Sequence, residues 1–154
     1  KKEMSAEENL KKLNINLPKA PDPVGAYVAS KIVGNLIFIS GQLPLDSEGK
    51  LIKGKVGKEL NLEQGQEAAK FCALNILAQL KKICSSLDKV KGCVKITGYV
   101  NSIDSFTDQP KIINGASNLI SKIFGDKGKH TRAAVSVNSL PLDAAVEIEG
   151  IFEI

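Results

Sequence analysis

Arg132, Glu147 and Glu149 stand in the closing stretch HTRAAVSVNSLPLDAAVEIEGIFEI, residues 130–154, which otherwise reads as two apolar strands. Charges in core-forming strands are costly unless they are paired or exposed. Arginine offers a planar, two-pronged donor that matches a carboxylate. A glutamate beside it can hold a water or take its proton. The chemistry implied is capture of a planar anion followed by water-dependent proton transfer. A plain salt bridge, within the chain or across a subunit boundary, is the alternative for the same residues. If residues 138–143 form the loop of a hairpin, alternation sets Ala134 opposite Glu147 and Arg132 opposite Glu149, with Arg132 in diagonal reach of Glu147.

Two other stretches offer polar groups near apolar ones. Ser40 and Gly41 follow the buried-strand pattern LIFIS, so small groups and close-approach backbone lie at a strand end, where ligand sites are often built. Tyr27 follows PDPVGA and reads equally well as a strand-start aromatic. His130, the sole histidine, falls in the Gly/Lys stretch GDKGKH and reads as a solvated surface residue. A lone histidine argues against a zinc site. Cys72, Cys84 and Cys93 have no Cys-x-x-Cys spacing and read as reduced, buried thiols.

Positioning these residues requires a small set of elements. Residues 1–20 are polar and read as an N-terminal arm with a short amphipathic turn or helix; residues 21–154 read as one domain. AYVASKIV and LIFIS flank a Gly-Asn turn and predict a hairpin. A long loop follows, with room for one short strand. From Leu62, Ala69, Ala73, Ile76, Leu80, Ile83 and Leu87 recur at helical spacing, with Asn61 as cap. CVKITGYV predicts a strand. Ile112, Ala116, Leu119, Ile120 and Ile123 predict a second helix that stops at Gly125. The order β-β-(β)-α-β-α-β-β fits an α+β two-layer sandwich: a mixed five- to six-stranded sheet with both helices on one face. The second face, with Ala29, Ile37, Ile39, Ala134, Val146 or their alternates, is then expected to be buried by self-association into a closed oligomer.

The bulk composition narrows the function classes. A hydrophobic fraction of 43% and a charged fraction of 25% are ordinary for a globular chain. No apolar run approaches the roughly 18 residues of a membrane span. The charged N-terminus lacks an apolar signal core, so a cytoplasmic location is expected. Net charge is +4, with scattered lysines, 5% aromatics and no Trp, which points away from a nucleic-acid-binding platform.

DPVGAYVAS, LIFISGQLPLD, VKITGYVNSIDSF and TRAAVSVNSLPLDAAVEIEGIFEI, taken in order, closely resemble the RidA/YjgF family of reactive intermediate deaminases, also labelled L-PSP-type endoribonucleases or translation inhibitors. The resemblance runs from about residue 21 to 154 and is nearest to the longer branch of about 150 residues. It implies a chorismate-mutase-like fold and a homotrimer with a central barrel and three inter-subunit clefts. It also implies hydrolysis of small 2-imino or enamine acids such as 2-aminoacrylate to 2-oxo acids and ammonia, without metal or organic cofactor. By resemblance Arg132 binds the substrate carboxylate and Glu147 positions or activates water. Tyr27, Ser40 and Gly41 line the cleft, and Asn114 matches a family asparagine in the second helix. The chain departs from the pattern at Ala134, where many members have cysteine, and in the GKHT segment before the arginine. Two other readings stay open: a non-catalytic sensor of 2-oxo acids, and an endoribonuclease using His130 and Glu147.

Overall fold

The computed structural model describes residues 3–154. The elements run α1 (Ala6–Lys12), β1 (Ser30–Val33), β2 (Leu36–Gln42), α2 (Leu62–Cys84), β3 (Gly92–Asn101), α3 (Gln109–Phe124), β4 (Thr131–Val137) and β5 (Val146–Glu153). The strands form one mixed sheet in the order β1-β2-β5-β3-β4. The fold is α+β, with α2 and α3 packed on one sheet face.

Local signals set the helix ends. The Asn61 side chain accepts from the Gln64 N–H at 2.8 Å, and the Gln64 side chain returns a bond to the Asn61 N–H at 2.8 Å. Such caps contribute about 1 kcal/mol. Ser5 and Glu8 make the same reciprocal box on α1. Gly125 ends α3 at φ 62°, a conformation glycine adopts without a Cβ penalty. On α2, Ala69, Ala73, Ile76 and Leu80 are buried as their spacing predicts, whereas Ile83 is exposed and Leu87 lies beyond the helix in a 3-10 turn. Over six turns the stripe drifts around the axis, so Cys84 faces inward in place of Ile83. The short helix α1 packs on α3, outside the sheet layer, and the loop strand allowed for by the sequence is reduced to isolated bridges.

The two last strands are not a hairpin. β4 runs parallel to β3, and β5 pairs antiparallel with β3 on its other side. The connection between them crosses the end of β3, where the fully buried Asn101 fastens it. The Asn101 amide donates to the Asp143 carboxylate at 3.0 Å and the Ala144 carbonyl at 3.1 Å, while Lys55 bridges Asn101 and the Asn138 carbonyl. Leu142 and Asp143 both take φ 60° in this crossing.

The core lies between the sheet and the two long helices. Ile37, Ile39, Ile96, Val146, Ile148 and Phe152 meet Ile76, Leu80, Ile112, Ile113 and Ile120 there. Each such side chain stabilises by about 1.5–3 kcal/mol when fully buried. Of the residues expected on the second face, Ile37, Ile39, Ala134 and Val146 belong to this core layer. Their alternates occupy the open face: Phe38, Thr97, Ala133 and Val135, together with Lys31, Lys95, Tyr99, Glu147 and Glu149. Among the described residues no helix is long and apolar enough to cross a membrane.

Candidate functional site

Arg132 points to the helix side of the sheet. It pairs in register with the buried Ile96, and β4 is an edge strand. Its guanidinium is fastened to α3: Nη1 donates to Asn114 Oδ1 at 2.8 Å and to Ser117 Oγ at 3.1 Å, and Nη2 donates to the Pro110 carbonyl at 3.3 Å. All three acceptors are neutral, and among the described residues no carboxylate forms a salt bridge with Arg132. A guanidinium carries five N–H donors. The three bonds leave Nε–H and one Nη2–H without a protein partner among the described residues. A guanidinium held this way, with spare donors, has the chemistry to receive a planar anion.

Glu147 lies on the opposite face, so the predicted diagonal contact with Arg132 is absent. Arg132 and Ile96 are in register with Gly150, whereas Glu147 is in register with Tyr99 and Val135. The two side chains are thus displaced by about 10 Å across the sheet and about 10 Å along it, and they project to opposite sides. Within each strand the side chains alternate as the sequence predicts, but β4 and β5 are not neighbours, because β3 lies between them.

Around Glu147 a second cluster forms. Between the pairs Ile39–Gly150 and Gln42–Ile148, Ser40 and Gly41 both oppose Glu149, which makes a β-bulge. Bulges re-aim side chains and recur beside active sites. The Glu147 carboxylate rests on Gly41, where a Cβ would come within 2.5 Å of Oε2. Burial first, and then the neighbouring Glu149 charge, raise the Glu147 carboxyl above its ordinary value. The Tyr99 hydroxyl donates to Glu149 Oε1 at 2.8 Å. That bond, ahead of burial and the two glutamate charges, raises the phenol and keeps it a donor. Tyr99 escaped the sequence reading, since only the β3–β5 register shows that it faces Glu147.

Tyr27 and Gly41 line one cavity of about 180 Å³ with Val24, Leu45, Leu51 and Leu142. The Ser40 hydroxyl donates to the Val28 carbonyl at 2.6 Å, so it fastens the segment that carries Tyr27. Buried Gln79 donates to the Pro21 carbonyl at 2.7 Å and to Gln42 Oε1 at 3.3 Å, and Gln42 donates to the Ser40 carbonyl at 2.9 Å. These amides tie the Pro-rich segment, the bulge and α2 together. The structure therefore brings Tyr27, Ser40, Gly41 and Glu147 into one neighbourhood and Asn114 with Arg132 into another.

The remaining candidates sort differently. His130 is half-buried rather than solvated, with Nε2 at 2.9 Å from Ser117 Oγ and Nδ1 at 2.6 Å from the Gly128 carbonyl. It sits beside Arg132, not Glu147. All three cysteines are free and buried as expected. Burial pushes the Cys93 thiol up to about 12 and the Cys72 thiol well above its usual value, which favours the neutral thiol over the thiolate at both. Among the described residues no cluster of His, Cys, Asp and Glu could hold a metal.

Known proteins resemble this chain over almost their full length. The family described as YjgF/chorismate mutase-like, "putative endoribonuclease", matches residues 7–152. Protein TCP17 of Trypanosoma cruzi is 42% identical over 147 residues, which cover 95% of this chain and 92% of that protein. A crystal structure of an Agrobacterium tumefaciens protein of unknown function superposes with a TM-score of 0.88 at 44% identity, covering 97% of this chain and 93% of that one. A crystal structure from Shewanella oneidensis superposes with a TM-score of 0.94 at 31% identity, covering 98% and 100%. With the family match running over residues 7–152 and solved relatives superposing over nearly the whole chain, the chain belongs to the YjgF/RidA family.

Proposed function

We propose that this protein hydrolyses small 2-imino and enamine acids, such as 2-aminoacrylate, to 2-oxo acids and ammonia, in a cleft completed by a second copy of the chain. The observation that carries the reading is the state of Arg132: its guanidinium is anchored by neutral oxygens of α3, with donors to spare. Glu147 of the same chain is out of its reach, so one copy supplies the anion clamp and another supplies the carboxylate. A homotrimer that set β4 of one copy against the open face of the next would meet this requirement and would cover Phe38 and Val135, which are exposed in the single chain.

The reaction needs little machinery. The enamine tautomerises to the imine, and water adds to the imine carbon. A C–O bond forms, the nitrogen gains protons, and the C–N bond breaks to release ammonia and the 2-oxo acid. Arg132 fixes the substrate carboxylate and removes its orientational freedom. Glu147, with its raised carboxyl, takes a proton from the attacking water and returns it to the departing nitrogen. Gly41 and Tyr27 border the space for the substrate's other end.

The test is ammonia release from 2-aminoacrylate generated in place by a dehydratase. Arg132→Ala is expected to lower kcat/KM by about 100-fold or more, and Glu147→Gln to lower kcat by roughly 100-fold, with oligomer size unchanged. Full activity of Arg132→Ala overturns the clamp. A wild-type protein that binds 2-oxo acids but releases no ammonia above background is a sensor, not an enzyme. The endoribonuclease reading has less support: both His130 nitrogens are engaged by Ser117 and Gly128, on the side of the sheet away from Glu147.

A further inference from the structure

We infer that Ser117 and His130 are positioning residues that orient the Arg132 guanidinium for its anion, through a one-directional hydrogen-bond chain ending on Gly128. The inference rests on the reading of Arg132 as the carboxylate clamp. The chain's direction follows from which groups can donate. A backbone carbonyl only accepts, so the proton of the neutral imidazole sits on Nδ1, 2.6 Å from the Gly128 oxygen. Nε2 is then an acceptor, and the Ser117 hydroxyl, 2.9 Å away, donates to it. With its hydrogen committed, Ser117 Oγ offers its lone pairs to Arg132 Nη1 at 3.1 Å. Each member has one role, and a serine locked in this way polarises toward the guanidinium rather than rotating freely.

The chain's far end is as fixed as its near end. Gly128 is wedged against α3, where a Cβ would meet the Ile120 carbonyl at 2.7 Å and Ser121 Cα at 3.0 Å. Asn114 lies one helical turn before Ser117, so both Nη1 acceptors share one face of α3. The 3-10 turn at Gly125–Gly128 thus returns the chain to the same helix that holds the arginine. The arginine's aim then depends on a histidine that reaches it only through the Ser117 hydroxyl.

The experiment measures the affinity of 2-oxobutyrate for the full chain and the tautomer of its single histidine by nitrogen-15 NMR at alkaline pH. The expected spectrum is that of the Nδ1–H form; an Nε2–H form overturns the proposal by itself. Ser117→Ala and His130→Asn, which lacks an acceptor at the Nε2 position, are expected to bind roughly tenfold more weakly. They should raise KM with little change in kcat, since the clamp acts on ground and transition states alike. Ser117→Thr and His130→Gln restore the missing group and are expected to recover most of the affinity, which a merely structural loss would not do. Wild-type affinity in Ser117→Ala and His130→Asn, while Arg132→Ala abolishes binding, overturns the relay and leaves the clamp standing. Binding unaffected by Arg132→Ala overturns the clamp itself, and the tautomer then decides the relay alone.

Discussion

At Gly41 the space for a methyl group is taken by the Glu147 carboxylate, with Cδ at 2.9 Å and Oε2 at 2.5 Å from an ideal Cβ. The obstacle is the end of a side chain, so it can give way. Gly41→Ala is therefore expected to fold with a Tm near that of the wild type while displacing the carboxylate. A displacement of about 1 Å lowers turnover by about 100-fold. Thermal melts and ammonia release on the same sample check this; unchanged turnover would separate Glu147 from the chemistry. Residue types at this scale were legible in the sequence: Arg132, Glu147 and Ser40 stand out as polar groups among apolar strands, and Gly41 as a point of close backbone approach. Their partners were not. Ser117 lies 13 residues from His130, and Tyr99 lies 50 from Glu149, so nothing in local spacing links them. The GDKGKH stretch looks solvated because its residues are polar, yet its backbone is what closes the hydrogen-bond chain.

Helix α3 is the element that holds the Arg132 guanidinium, since it supplies Asn114, Ser117 and the Pro110 carbonyl. It packs on α2 at Gly115, where a Cβ would overlap the Gln66 backbone oxygen. Backbone cannot yield as a side chain does. Gly115→Ala is thus expected to destabilise by about 1–3 kcal/mol in denaturant melts, and to weaken 2-oxobutyrate binding as α3 shifts. A variant as stable as the wild type would contradict the packing. The helices themselves were legible: the spacing of Ile112, Ala116, Ile120 and Ile123, the Asn61 cap and the Gly125 stop all reflect short-range physics. The pairing of β4 was not. Its alternation suits either a hairpin with β5 or a parallel edge beside β3, because period two records which face a residue takes and not which strand lies next to it. The α3 crossover decides for the parallel edge, as parallel neighbours need a connection of about a dozen residues or more.

For the whole molecule, a site split between copies has a signature that no single-chain site can imitate. Arg132→Ala and Glu147→Gln are each expected to be impaired about 100-fold alone. After mixing, unfolding and refolding together, a copy with intact Arg132 can meet one with intact Glu147. Random assembly into closed rings returns about a quarter of the sites to full function. Ammonia release from the mixture measures this, and no recovery would place both groups in one chain's site. Of the proposed oligomer, the sequence offers only a surplus of apolar surface on one sheet face, since composition does not say where a partner sits. The central place of β5 has a different consequence. It bonds to both β2 and β3, yet it follows every other element in chain order. A growing polypeptide on the ribosome therefore carries a sheet with its middle missing until residues 146–153 emerge. During that interval β2 and β3 each present an open edge, which is a template for aggregation. Synthesis of this protein should therefore lean on chaperones that shield unpaired strands, and premature termination before Val146 should yield insoluble chains rather than a smaller working fold.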